Sequence, residues 1–164
     1  MIFLILFTGV FALDYVVKQH VNTAWLQGSS RKAVGDRLIF RNCHNEGIAF
    51  GLLKKMDARW CQLIAAASLG GVVWESIRTW THGGRRLAKA GLALILGGGA
   101  NNLAERIQKG YVTDYLSVNV KKRDIRRLTF NLSDVFILMG TCFWAAGSIL
   151  PHRKNRDSGK RKKR

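Results

Sequence analysis

The sequence predicts a membrane protein of the all-α class, with four transmembrane helices and a small extracytoplasmic β-sheet. Three observations predict this fold class. Four apolar segments approach the roughly 20 residues that a helix needs to cross about 30 Å of hydrocarbon. Basic residues are dense in one short link and at the C-terminus. The segment 36–44 clusters aliphatic and aromatic residues at its centre, which is typical of a β-strand.

The first predicted helix covers residues 1–21. It lacks a basic region at its start and a small-residue cleavage site after Leu13, so we expect it to remain uncleaved. Asp14 and Lys18 lie four residues apart and therefore on one helical face, where each can partly neutralise the other. We interpret them as structural polar residues.

The remaining predicted elements follow in order. Residues 22–59 form the outer β region, and the second and third helices cover 60–77 and 87–103. The third is the weakest in hydropathy, but glycines such as Gly97 would let its backbone press against a neighbouring helix. The fourth helix covers 132–150. Together these elements predict a single domain over residues 1–150.

The distribution of charge predicts the orientation and disfavours a nucleic-acid partner. The chain has 27 Lys plus Arg against 10 Asp plus Glu. Eight of the basic residues fall in 151–164, and the short link 78–89 carries four with no acid. Short basic segments stay in the cytoplasm, so both termini are expected there, the C-terminal one as a disordered tail touching anionic lipid. No basic face carries interleaved aromatics, as nucleic-acid binding would require.

Two aspartates stand at the predicted outer end of the helices. Asp114 and Asp134 are flanked by apolar residues and not by a solvated charge run. Two acids in a pocket of low dielectric constant cannot both ionise, so they share one proton. Such a pair can activate a water and protonate a carbonyl oxygen without metal or cofactor. The alternative is that Asp134 merely complements the helix dipole and Asp114 is a solvated loop acid.

Four motifs decide between these readings by resemblance to a known family. Asp14 to Lys18 resembles an Asp-x-x-x-Lys motif, and 45–51 matches Asn-x-Gly-x-Ala-Phe-Gly. Residues 97–115 resemble Gly-Gly…Asn-x-x-Asp-Arg…Gly-x-Val-x-Asp-Phe, and 130–134 match Phe-Asn-x-Ala-Asp. In this order, between four spans, they resemble lipoprotein signal peptidase, the prokaryotic type II signal peptidase.

The resemblance implies an aspartyl endopeptidase of the prokaryotic cytoplasmic membrane, with its active site facing outward. It would remove the signal peptide of a prolipoprotein before a diacylglyceryl-modified cysteine, as a monomer among membrane lipids and without a cofactor. A short outer loop or helix is expected near the active site. The resemblance implies that Asp114 and Asp134 are catalytic. It further implies substrate-binding or dyad-supporting roles for a set of polar residues: Asn45, Asn102, Arg106 and Asn131.

The chain departs from the family pattern at four positions. Asn101 stands where the pattern has Gly, and Glu105, a further structural polar candidate, where it has Asp. Tyr115 replaces Phe and Ser133 replaces Ala. None of these changes removes a catalytic aspartate.

One further expectation concerns the start of the fourth helix, and two rival interpretations of the whole protein remain. Asn131 or Ser133 is expected to cap the fourth helix, which would put Asp134 in its first turn and favour its ionised form. One rival interpretation is a small four-helix proton- or cation-coupled transporter with Asp14, Asp114 and Asp134 as its ion sites, which would need carboxylates near mid-membrane. Another is a relative that binds lipopeptides without cleaving them.

Overall fold

In the computed structural model, residues 1–33, 37–47, 57–81, 85–119 and 128–150 are described. They form four helices and four strands. The helices are α1 (Ile2–Ala24), α2 (Ala58–Thr81), α3 (Arg86–Lys109) and α4 (Leu132–Ile149). The strands are β1 (Ser30–Ala33), β2 (Leu38–Asn45), β3 (Val112–Val118) and β4 (Thr129–Phe130).

Three of the helices, α1, α2 and α4, are long and apolar enough to cross a membrane. Their apolar side chains point away from the protein: Leu4, Trp74 and Leu138 are 66%, 71% and 68% exposed. A soluble monomer would not leave such surfaces in water, whereas lipid tails solvate them without cost. The prediction of a membrane protein is therefore confirmed, with three helices that are able to span the bilayer.

Helix α3 is also long, at 24 residues, but it is not as apolar as the other three helices. It packs against α1, α2 and α4, so its neighbours are mostly protein and not lipid. Close approach explains its small residues. A Cβ on Gly91 would lie 2.4 Å from the carbonyl oxygen of Gly140 in α4, and one on Gly97 would lie 2.7 Å from that of Phe7 in α1.

The helices run alternately up and down. The ring of Phe3, at the start of α1, lies 5.4 Å from that of Trp80 at the end of α2. Gly147, at the end of α4, approaches the backbone of Ala88 at the start of α3. The basic ends of α2 and α3 therefore lie on one side, and the β-sheet lies at the opposite end of the helices.

The sheet is antiparallel throughout, with strand order β1-β2-β3-β4. The strand predicted at 36–44 is confirmed as β2 from Leu38 onward; Arg37 lies in a turn, and residue 36 lies outside the described residues. The predicted outer β region 22–59 contains β1 and β2, whereas β3 and β4, which the sequence did not predict, come from the connection between α3 and α4. The expected outer loop or helix and the tail 151–164 lie outside the described residues.

The ends of the predicted helices also differ from the structure. The second and third helices were predicted at 60–77 and 87–103, but α2 and α3 extend to Thr81 and Lys109. In α3 the missed turns contain Glu105 and Arg106, which are charged and nevertheless only 7% exposed each. Two adjacent charged residues are typical of an exposed loop, so the sequence did not predict a helix there. Ion pairs and hydrogen bonds allow both side chains to remain buried in a helix.

Candidate active site

A tight turn after α3 places Asp114 on the sheet. Gly110 has φ 80°, a left-handed conformation that glycine adopts without strain, and its N–H donates to the Arg106 carbonyl at 2.9 Å. The chain then reverses into β3, where Asp114 pairs with Cys43 of β2. Asp114 is only 3% exposed.

The N-terminus of α4 places Asp134. Asn131 is its N-cap: the Asn131 side chain accepts from the backbone N–H of Asp134 at 3.0 Å, and the Asp134 carboxylate accepts from the N–H of Asn131 at 3.2 Å. This reciprocal pair is a capping box. The predicted cap at Asn131 and the first-turn position of Asp134 are confirmed, whereas Ser133 bonds elsewhere.

The same Asn131 side chain links Asp114 to the start of α4. Its Nδ2 donates to Asp114 Oδ1 at 2.8 Å, while its Oδ1 accepts from the backbone N–H of Asp134. Asn45 Nδ2 donates to the other oxygen, Asp114 Oδ2, at 2.9 Å. Both oxygens of Asp114 thus have an amide donor, and one residue fixes the spacing between the strand and the helix that carry the acids.

Burial and charge shift the ionisation of Asp114. Loss of water around its carboxyl group is the largest effect, and the nearby charge of Asp134 adds to it, so the pKa of Asp114 is raised to about 7. The amide donors of Asn45 and Asn131 act in the opposite direction because they stabilise the ionised form. The protonated form of Asp114 is therefore well populated at neutral pH.

Asn102 and Lys18 support Asp134 from α3 and α1. Asn102 Nδ2 donates to Asp134 Oδ1 at 3.0 Å, and Lys18 Nζ donates to Asn102 Oδ1 at 2.6 Å. Because an ammonium group is only a donor, it fixes which end of the Asn102 amide faces the acid.

Arg106 lies in the same site, but within the described residues its guanidinium forms no hydrogen bond or ion pair with either acid. Its Nη2 donates to the Gly47 carbonyl at 2.6 Å, and the Gly47 N–H donates to Asn45 Oδ1 at 3.1 Å. Arg106 therefore fixes the end of β2 that presents Asn45 to Asp114.

One cavity of about 670 Å³ connects these groups. Five of the predicted site residues line its polar end: Asn45, Asn102, Arg106, Asp114 and Asp134. The rest of the lining is mainly apolar and includes Val135, Leu138 and Met139 on the face of α4. The cavity thus offers a pair of acids at one end and a surface for hydrocarbon along the other.

A second polar cluster lies beside the cavity and contains the predicted structural residues. Lys18 Nζ lies 3.0 Å from Asp14 Oδ2 and 3.3 Å from Glu105 Oε2, and Lys109 Nζ lies 3.0 Å from Glu105 Oε1. Thr113 donates to Glu105 through its hydroxyl at 2.6 Å and its N–H at 3.0 Å. Two acids and two bases therefore balance in charge.

Two further residues of this cluster were not among the residues that the sequence predicted for the site, although Ser133 was a candidate cap for the fourth helix. Tyr115 and Ser133 both donate to Asp14, the former at 2.7 Å. The signal that could have revealed them is their departure from the family pattern. For a metal, no group of three or more His, Cys, Asp or Glu residues suited to binding one occurs in the described parts of the chain.

Fold and site together define a helical membrane protein that holds two aspartates at one cavity, where its helices meet a small sheet. The family model described as "Signal peptidase (SPase) II" matches residues 6–150. The chain belongs to the signal peptidase II family, which confirms the resemblance and indicates a membrane-bound protease.

Individual relatives agree with this membership. A lipoprotein signal peptidase of Solibacter usitatus is 32% identical over 149 residues, covering 88% of each chain. Those of Moorella thermoacetica and Brucella ovis are 29% and 31% identical, covering 91% and 89% of this chain and 93% and 88% of their own.

Solved structures agree on the fold. A chain described as a bacterial membrane enzyme matches with a TM-score of 0.76 at 20% identity, covering 99% of this chain and 93% of its own. A second has a TM-score of 0.75 at 19% identity, covering 92% and 94%. At these identities the likeness concerns the fold alone.

Proposed function

We propose that this protein is an aspartyl endopeptidase that removes signal peptides from diacylglyceryl-modified prolipoproteins at the outer membrane interface. The observation that carries the proposal is the position of Asn131, whose side chain donates to the Asp114 carboxylate and accepts from the backbone N–H of Asp134, while both aspartates line one cavity. The relatives named lipoprotein signal peptidase support the substrate class.

In the proposed reaction the two acids share one proton. Asp134, in the first turn of α4, lies at the positive end of the helix dipole, which favours its ionised form. It draws a proton from a water as that water attacks the scissile carbonyl carbon, and protonated Asp114 donates to the carbonyl oxygen. The C–N bond then breaks as the proton held by Asp134 passes to the leaving amine, and one hydroxyl of the tetrahedral intermediate returns its proton to Asp114. Because the pair titrates as a unit, this assignment is a bias between two arrangements of one proton.

The supporting residues have separate tasks in this proposal. Asn131 sets the spacing of the acids, Asn102 orients Asp134, and Asn45 holds Asp114 and can present its amide to a peptide backbone. Arg106 positions Asn45 through Gly47 and contributes positive charge at the cavity wall.

The shape of the cavity suits a lipid-modified peptide. Acyl chains on the cysteine can remain along the apolar face of α4 while the peptide bond beside that cysteine reaches the polar end. The two ends of the cavity therefore match the two parts of the substrate.

The proposed topology has four spans. Helix α3 has 24 residues, or about 36 Å at 1.5 Å per residue. Helix α3 runs alongside α1: Ile2 and Arg86, at the starts of the two helices, line one cavity, and Lys18 contacts Glu105 near their ends. If α1 spans the membrane, α3 therefore spans it too. The basic ends and both termini would then be cytoplasmic, and the site would face outward from the inner membrane. A monomer with one domain, 1–150, and a basic tail, 151–164, completes the proposal.

The deciding experiment is cleavage of a purified diacylated prolipoprotein by the purified protein in detergent, followed on a gel. Wild type should release the signal peptide, and Asp114→Asn and Asp134→Asn should each abolish release. Asp57→Asn is the matched control, because Asp57 is exposed and outside the site. Equal behaviour of all four proteins would refute the proposal, and binding without cleavage by wild type would favour a non-cleaving relative.

A further inference from the structure

Asp14 is a carboxylate for which the proposed cleavage has no use, yet it is wholly enclosed, at 0% exposure. Tyr115 donates its hydroxyl to Asp14 Oδ1 at 2.7 Å, and Ser133 donates its hydroxyl to Oδ2. Lys18 Nζ lies 3.0 Å from Oδ2. Charged hydrogen bonds in a dry interior are among the stronger ones, so this carboxylate holds its partners firmly.

The two hydroxyl donors are chain neighbours of the two acids. Tyr115 follows Asp114 in β3, and Ser133 precedes Asp134 in α4. Because side chains alternate along a strand, Tyr115 points away from the face that carries Asp114. Asp14 therefore binds both β3 and α4 on the side that faces away from the cavity, opposite the contact of Asn131 with Asp114.

A further contact links the same two elements. The Tyr115 hydroxyl oxygen accepts from the N–H of Leu132, the first residue of α4, at 3.2 Å. Tyr115 thus bonds both to α1, through Asp14, and to the start of the helix that carries Asp134.

All four departures from the family pattern meet at this point. Besides Tyr115 and Ser133 on Asp14, the Asn101 side chain accepts from Lys18 Nζ at 2.8 Å, and Glu105 lies 3.3 Å from the same ammonium. Four substitutions scattered over 33 positions of the chain thus contact one ion pair. They form one connected set of contacts and not four independent changes.

We infer that Asp14 is a positioning residue for Asp114 and Asp134, acting through the hydroxyls of Tyr115 and Ser133. The inference rests on the proposed function of the two acids. Holding reacting groups in register is worth a large share of an enzyme's rate, and displacement by about 1 Å costs about 100-fold.

The experiment compares hydroxyl deletions on the two donors with a matched deletion elsewhere. Tyr115→Phe and Ser133→Ala restore the residue of the family pattern and remove one donor each. Ser117→Ala is the control: Ser117 is fully buried, lies on the same face of β3 as Tyr115, and donates to the Leu128 carbonyl at 2.9 Å without touching Asp14.

We expect kcat for prolipoprotein cleavage to fall about tenfold in each single variant and about 100-fold in the double variant. KM should stay within about twofold, because the substrate-facing wall is unchanged. Melting temperatures, measured alongside, should fall comparably in Ser117→Ala while its kcat is retained. A double variant with the kcat of Ser117→Ala would overturn the inference.

A coupling measurement identifies Asp14 as the common partner. In the Asp14→Asn background, Tyr115→Phe should reduce kcat by less than about twofold, since the contact is already weakened. A full tenfold further loss would overturn the inference. If Asp14→Asn does not fold, the donor variants decide alone. If Asp114→Asn and Asp134→Asn still cleave the substrate, the proposed function itself fails. If those two variants are inactive but Tyr115→Phe and Ser133→Ala keep the wild-type kcat, only the inference about Asp14 fails.

Discussion

Replacing Asp114 by asparagine should stabilise the protein in alkaline solution and not in acid. The pKa of Asp114 is raised from an ordinary 3.8 to about 7, chiefly by burial. The folded protein therefore binds this proton more tightly than the unfolded chain does. The stability that this carboxyl contributes is complete below pH 3.8 and is lost as the pH rises to about 7.

The size of the effect follows from the same pKa. A tenfold change in proton affinity corresponds to about 1.4 kcal/mol, so ionising Asp114 in the folded state costs about 4 kcal/mol at pH 8. Asparagine avoids this cost. However, Asn45 and Asn131 donate to different oxygens of Asp114, and asparagine replaces one of these oxygens with an NH2 group, so the loss of that hydrogen bond costs about 2 kcal/mol. A net gain of about 2 kcal/mol corresponds to about 4–8 °C in Tm.

The assay is thermal unfolding of the two proteins in detergent at about pH 4 and pH 8. The Tm of Asp114→Asn should exceed that of wild type at pH 8 and be equal or lower at pH 4. Asp57→Asn is the control, since Asp57 is exposed, accepts from Arg59 N–H at 2.7 Å, and asparagine caps equally well. A Tm difference for Asp114→Asn that is the same at both pH values would refute the reasoning.

Two further changes probe the site and the helix packing. Asn131→Ser keeps a good N-cap but removes the amide that donates to Asp114. The pKa of Asp114 should rise further, so the alkaline fall in kcat/KM should move to higher pH; a shift to lower pH would contradict this. Gly91→Ala places a Cβ 2.4 Å from the Gly140 carbonyl oxygen and should lower Tm by more than about 4 °C. Gly70→Ala, where a Cβ meets nothing within 4 Å, should leave Tm unchanged or slightly raised, and equal Tm values in the two variants would argue against close packing.

Much of the fold was predictable because it depends on local patterns. Membrane-length apolar runs predicted α1, α2 and α4, and an asparagine at a helix start predicted the cap at Asn131. Strand β3 was missed because Asp114 and Ser117 interrupt its apolar residues. Such a strand forms through pairing with β2, about 70 positions away, and this partner cannot be read from local sequence.

The site was predictable as a set of residues but not as a set of contacts. The motifs named the acids and their asparagines, whereas the double contact of Asn131 depends on how β3 meets α4. Glu105 was predicted as a structural polar residue without a known partner, and Tyr115 only as a departure from the family pattern, since nothing local shows that α1 brings Lys18 and Asp14 to them. Buried polar groups must find partners, but sequence does not identify which partners are within reach.

The most direct test of the central claim locates the shared proton. Infrared spectra of protein labelled with ¹³C-aspartate, recorded in detergent near neutral pH, distinguish a protonated carboxyl group from a carboxylate. One protonated band should be present in wild type and disappear in Asp114→Asn. A wild-type spectrum without a protonated carboxyl, or a band that survives in Asp114→Asn and is lost in Asp134→Asn, would contradict the proposed arrangement of the two acids.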